Sequence, residues 1–236
     1  MKKQTLAALV LAAALLGSIG LSGCSLGQSH VHIDWVNFIR FGGITYLANY
    51  HPGRDLQPAD LGAQFATVRA SLADKVDDPN YQTRDGDASY LAVGAPVYRV
   101  QGYAPTFRLA AEQSGKFMLF EADTNPRAKT GADLLDIGGK VRSIDVFDNS
   151  GTATAPLATL ANAHLVVTLT AQLLAAPVDQ TRMDASGPQY SLTFLLADGT
   201  DVVRSYFPKA REVERGILVP DTFVAALASA IKGNGK

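Results

Sequence analysis

From Val31 to Phe41 the odd positions are apolar: Val31, Ile33, Trp35, Ile39 and Phe41, with Asn37 the exception. The even positions include His30, His32, Asp34 and Arg40, interrupted by Val36 and Phe38. Alternation of period two marks a half-buried strand, because successive side chains point to opposite faces. Gly42-Gly43 follows, and two glycines suit the positive φ angles of a two-residue hairpin turn. Pairing across it sets Phe41 opposite Ile44 and Ile39 opposite Tyr46, which keeps the apolar face continuous. Further strands are expected at about 63–72, 96–101, 106–111 and 116–122, and one more at Lys140–Phe147. Asp85-Gly86, Gly94 with Pro96, and Ser114-Gly115 supply the turns between them.

The pattern changes after Asp148-Asn149-Ser150-Gly151-Thr152, the best internal boundary. Leu165, Leu169 and Leu173 recur with Val166 at helical spacing until Pro177. Tyr190, Leu192, Phe194 and Leu196 then share one strand face, and Asp198-Gly199 predicts a type I′ hairpin turn. That turn would set Phe194 opposite Val203 and Tyr190 opposite Phe207. A short strand at Gly216–Val219 and a final helix capped by Asp221 complete the chain. The expected fold class is α+β and β-rich. A small barrel or sandwich of short strands over 31–148 precedes a strand-helix-three-strand-helix module over 160–236.

The N-terminus follows a different rule. Lys2 and Lys3 precede an unbroken apolar run from Leu6 to Leu16. That run is short of the ~20 residues that cross a hydrocarbon core. Leu21-Ser22-Gly23-Cys24 follows, and it resembles the lipobox of bacterial lipoproteins: Leu, two small residues, then Cys. The resemblance implies a signal peptide over 1–23 and cleavage before Cys24. It also implies a diacylglycerol thioether on Cys24, usually with a further fatty acid such as palmitate on its amine. Residues 24–30 become the lipidated cysteine and a short tether. The implied location is the outer side of a bacterial cell membrane, with the membrane itself a partner through the lipid on Cys24. Two acyl chains hold stably where one holds weakly. In outline the body is also similar to accessory domains of secreted lipoproteins, although no diagnostic motif carries that likeness.

Composition narrows the function. Cys24 is the one cysteine of the 236 residues, so its acylation leaves no thiol for a disulfide or a metal. The formal net charge is −1, and cleavage takes away Lys2 and Lys3 but no acid. Nucleic acid is therefore not an expected partner, since it calls for a basic patch. With 47% hydrophobic residues, the chain has the means to bury a core.

Chemistry-bearing motifs are scarce. Gly138-Gly139-Lys140 fails as a phosphate-binding loop, because Leu134 stands where its first glycine belongs and Val141 follows the lysine. Asp78 could open a calcium loop, but Thr83 and Ser89 replace its required glycine and glutamate. His30 and His32, about 6.6 Å apart on one strand face, are weak metal candidates together with Asp34, which lies roughly 13 Å from His30. A third ligand would have to come from another strand. His51, in a loop, and His164, expected as a packed or capping residue, have no partner identifiable by spacing. Arg84, Arg99, Arg108 and Arg204 are expected on solvated faces or, alternatively, against an anionic ligand. No catalytic residue and no cofactor is implied. The preferred reading is a non-enzymatic, lipid-anchored envelope protein that binds another envelope protein or component. The alternatives are a small-ligand or metal-ion binder and a hydrolase with a dispersed site. A polar pocket holding His51 or His164 would favour these alternatives.

Overall fold

Gly42 and Gly43 take φ angles of 59° and 75°. Their turn joins β1 (Phe38–Phe41) to β2 (Ile44–Asn49), with Phe41 opposite Ile44 and Ile39 opposite Tyr46. This register buries Ile39, Phe41, Ile44 and Tyr46 together, as the alternation requires. The computed structural model describes residues 34–73, 75–76, 78–149, 155–181 and 186–234. Cys24, His30, Val31, His32 and Ile33 lie outside them. The strand itself begins at Phe38, whose ring is buried although it sits at an even position, because Trp35 packs against it at 5.8 Å.

Six further strands complete the first sheet. They are β3 (Leu61–Thr67), β4 (Ala70–Ser71), β5 (Asp87–Ala88), β6 (Pro96–Val100), β7 (Arg108–Gln113) and β8 (Lys116–Thr124). Their order is β3-β6-β7-β8-β2-β1-β5-β4. β3 and β4 are the two edges, yet only Val68 and Arg69 separate them in the chain. The sheet must therefore curl until its edges approach, and it does so as a half-barrel around Ile39, Val97, Leu109 and Phe120.

The second sheet gathers β9 (Val141–Asp148), β10 (Ala158–Leu160), β11 (Tyr190–Leu196), β12 (Asp201–Phe207), β13 (Glu212–Val213) and β14 (Ile217–Leu218) in the order β10-β9-β11-β12-β13-β14. Two helices, α1 (Ala163–Ala175) and α2 (Asp221–Asn234), pack against it. Asn162, not His164, caps α1 by accepting from the Leu165 amide at 3.0 Å. His164 itself is exposed, and Asp221 is the first residue of α2 rather than its cap. The leucine stripe falls as its spacing demands. Val166, Leu169 and Leu173 are buried with Ile144, Val146, Leu192, Phe194, Phe223 and Leu227. The fold is α+β and β-rich. Relative to the expected module, the short strands β10 and β13 are additional. The switch between sheets falls between β8 and β9, ahead of the polar stretch at 148–152. Residues 150–154 of that connection lie outside the described residues, but β9 and β10 on either side of it are antiparallel neighbours.

The second hairpin differs from its expected form. Phe194 pairs with Val202 and Tyr190 with Tyr206, one residue away from the predicted register. The reason is the turn. Asp198 keeps a negative φ, while Gly199 sits at φ 85°. The Gly199 amide donates to the Leu196 carbonyl at 3.1 Å and the Leu196 amide to the Thr200 carbonyl at 2.8 Å. This is a three-residue loop that places its one left-handed residue at glycine, not a type I′ turn. A one-residue slip exchanges the faces of a strand. Hence Val202 and Tyr206 are buried, Val203 is exposed and Phe207 is half-buried.

Candidate functional site

The two sheets meet around a buried arginine. Arg108 opens β7, is 0% exposed and is the largest fully buried side chain among the described residues. Its Nε and Nη2 donate to Glu121 Oε1 on the adjoining β8 at 3.0 and 2.6 Å. Its Nη1 donates to Thr200 Oγ1 at 2.8 Å and its Nη2 also to the Asp201 carbonyl at 2.6 Å, both on the second sheet. The guanidinium lies 4.5 Å from the Tyr103 ring centre and 5.1 Å from that of Phe107. A desolvated charge survives only when paired and hydrogen-bonded, and Arg108 meets both conditions. The expectation that it lines a solvated face is thereby corrected. β7 is a central strand of its sheet, and the neighbouring Phe107 is carried into the core of the second sheet.

Glu121 has a second partner. Arg204 of β12 donates to its Oε2 at 3.1 Å, so one carboxylate is shared by guanidinium groups from both sheets. Beside this triad, Arg215 reaches back from the turn between β13 and β14 to Asp123 of β8, with Nε and Nη2 both on Oδ1. Arg215 holds φ at 71°, a left-handed conformation that costs a non-glycine residue roughly 1–3 kcal/mol. The next residue must be glycine. A Cβ at Gly216 would stand 1.9 Å from the Asp179 carbonyl oxygen. The β13–β14 turn is thus pinned from behind by close backbone approach, and it extends Arg215 toward the first sheet.

These groups line a cleft of about 360 Å³ between the sheets. Its walls are Leu47, Ala48 and Val203, its rim is Tyr50 and His51, and Glu121, Asp123, Arg204, Glu214 and Arg215 supply its charge. Burial pushes the Asp123 carboxyl above the ordinary carboxylate range, although Arg215 beside it pulls the other way. Asp201, behind the cleft, is also raised, first by burial and then by the Glu121 carboxylate, with Arg108 and His51 opposing. Arg204 uses Nη1 on Glu121 and on the Val203 carbonyl, and Arg215 uses Nε and Nη2. The remaining N–H groups of both arginines make no hydrogen bond among the described residues. Planar guanidinium groups with spare donors suit a carboxylate or another flat anionic group.

The described residues singled out by sequence do not all gather at one place. Cys24, His30 and His32 lie outside the described residues, and Asp34 is exposed at their edge. Among the described residues no three His, Cys, Asp or Glu side chains gather as metal ligands. Arg84 and Arg99 are exposed, Arg99 over the Phe65 ring at 5.4 Å. Of the two described candidate histidines, His51 lines the cleft and His164 does not, and the His51 imidazole makes no hydrogen bond among the described residues. Sequence reasoning missed Glu121, Asp123, Glu214 and Arg215. Each sits among apolar or ordinary polar neighbours, and the only available signal was Arg215-Gly216, a basic residue before a turn glycine. Neither a protein-family model, a curated protein nor a solved structure matches the chain.

Proposed function

We propose that the chain is an exported, lipid-anchored envelope protein and that its body is a binding module, taking a small polar ligand with an acidic group into the cleft beside His51. The anchoring half of this reading rests on the order of charge, apolar run and Leu21-Ser22-Gly23-Cys24. The binding half rests on one observation: arginines from two elements of the second sheet turn toward the first sheet and line a partly apolar cleft, with N–H groups that make no hydrogen bond among the described residues. This favours a small ligand over a protein partner, since a protein needs a broad flat surface more than a recess. The charge pairs Arg204–Glu121 and Arg215–Asp123 hold the donors in place before any ligand arrives, which lowers the ordering cost of binding.

Two measurements test the two halves. Cys24→Ala should abolish incorporation of labelled fatty acid and release the protein from membranes, whereas continued labelling overturns the anchor. Native mass spectrometry of the membrane-extracted protein should show a retained small molecule that Arg215→Gln loses. A ligand-free wild type, together with cross-linking to one envelope protein through the cleft rim, would replace the small-ligand reading with a protein-partner one.

A further inference from the structure

The edge of the body nearest the N-terminus is apolar and uncovered. Val36 is 64% exposed, Tyr90 43% and Val93 58%. They belong together: the Tyr90 hydroxyl donates to the Trp35 carbonyl at 2.5 Å, and the Ser89 amide to the Phe38 carbonyl at 3.1 Å. The segment before β1 and the loop after β5 therefore run side by side. That loop, Tyr90-Leu91-Ala92-Val93-Gly94-Ala95, carries no charge, and only Leu91 of it is buried. The half-buried Trp35 ring packs against Phe38 and edge-on against Tyr81 at 6.4 Å, which makes the edge firm.

Resting on the lipid-anchored reading above, we propose that this edge docks on the bilayer. Val36, Tyr90 and Val93 would enter the boundary between headgroups and acyl chains, with Trp35 at the same level. The length of chain between anchor and body supports this occupant over a protein. Residues 25–33 are all that separate Cys24 from Asp34, and at full extension they span about 30 Å. An anchor that short keeps this edge within reach of the lipid surface at all times. The exposed Tyr90 ring suits that boundary, where aromatic side chains are favoured. Asp34, exposed beside them, adds a negative charge, so docking draws on apolar burial and gains nothing from anionic lipid.

Trp35 is the one tryptophan of the chain, and it reports the contact directly. The protein extracted from its native membranes is reconstituted into phosphatidylcholine vesicles with plain or brominated acyl chains, and flotation is read beside Trp35 emission. The expected result is a floating protein whose emission is strongly quenched only by brominated lipid. Val36→Asp with Val93→Asp, at two exposed positions, should still float but lower the docked-to-undocked ratio by on the order of tenfold or more. A protein that floats with equal emission in both vesicles overturns docking and leaves the anchor standing. A protein that does not float overturns the anchor and docking with it. Emission that follows protein concentration rather than bromination would show a second copy covering the edge, and also overturns the proposal.

Discussion

The Gly42-Gly43 turn and the Asp198-Gly199 turn both carry hairpin signals, Asp198-Gly199 the stronger, yet they form different loops. A Cβ at Gly42 would meet nothing within 4 Å, and the one tertiary hydrogen bond to the turn's amides runs from Gly43 to Asp85 Oδ1 at 2.8 Å. Local backbone preference decides there, and the two-residue turn results. The second turn is held from several sides. Arg54 Nε donates to the Asp198 carbonyl at 2.6 Å and the Tyr103 hydroxyl to Asp198 Oδ2 at 2.8 Å. The Asp201 amide donates to the Pro52 carbonyl at 2.9 Å, and Arg108 takes the Thr200 hydroxyl. Thr200 donates from both its amide and its hydroxyl to Asp198 Oδ1. Where a turn is also a joint, the partners across the joint select the loop, and the register of the following strand shifts with it.

The largest test of this contrast removes the joint. Arg108→Ala leaves Glu121 desolvated beside an empty site and strips the second turn of two hydrogen bonds. It should cost about 3–5 kcal/mol in denaturant unfolding. A loss below about 1 kcal/mol would mean that the sheets are held by apolar contact alone.

The next test reads the register. Phe194→Ala should cost about 3–5 kcal/mol and Val202→Ala about 2 kcal/mol. Thr193→Ala and Val203→Ala should stay within about 0.5 kcal/mol. If Val203→Ala is the costlier of the two valine variants, the pairing of Phe194 with Val202 is wrong, and so is the face of β12.

Those substitutions also mark what the sequence makes legible. Period and turn chemistry are local, so the face of β11, the leucine stripe of α1 and the first hairpin follow from residues close together. Val202 and Val203 are both apolar and adjacent. Choosing between them requires the loop length, and that is set by Arg54, Tyr103 and Arg108 far away in the chain. The site is less legible still. Arg108 sits in Phe107-Arg108-Leu109, where a single charge in an apolar strand reads as the wet face of a pleat. Nothing local says that a second sheet will cover that face. Likewise Asp123 and Arg215 become a pair only after β8 and the β13–β14 turn converge.

A smaller effect compares the turns themselves. Gly199→Ala forces a side chain into φ 85° and against the Arg54 stem, 3.4 Å from its Cδ. Gly42→Ala meets open space at φ 59°. Both pay for left-handed backbone, roughly 1–3 kcal/mol, and Gly199→Ala should be the worse. Equal losses would show that the contacts around the second turn yield freely.

The smallest effect is electrostatic, and its sign is the point. Asp201 begins β12 at the joint, and its Oδ1 is buried with no hydrogen-bond partner. Burial and Glu121 raise its carboxyl above the ordinary range against the pull of Arg108 and His51. A carboxyl raised in the folded state holds its proton more tightly folded than unfolded. Stability therefore declines as pH climbs from the unfolded value through the folded one, and is level above it. Asp198 behaves oppositely. Burial pushes it up, but the Thr200 and Tyr103 hydrogen bonds outweigh burial and hold it low. Its contribution is present above the unfolded value and is lost as pH falls through the folded one. Asp201→Asn keeps the shape and cannot ionise, so it should match or exceed wild-type stability at neutral pH, with the difference closing in mild acid. Asp198→Asn should be less stable than wild type at neutral pH, with its deficit closing in stronger acid. Denaturant unfolding of the three proteins across that range decides it. An Asp201→Asn variant weaker than wild type at neutral pH would mean that the ionised carboxylate has a partner, and His51, whose charge already pulls on it, is the group to substitute next.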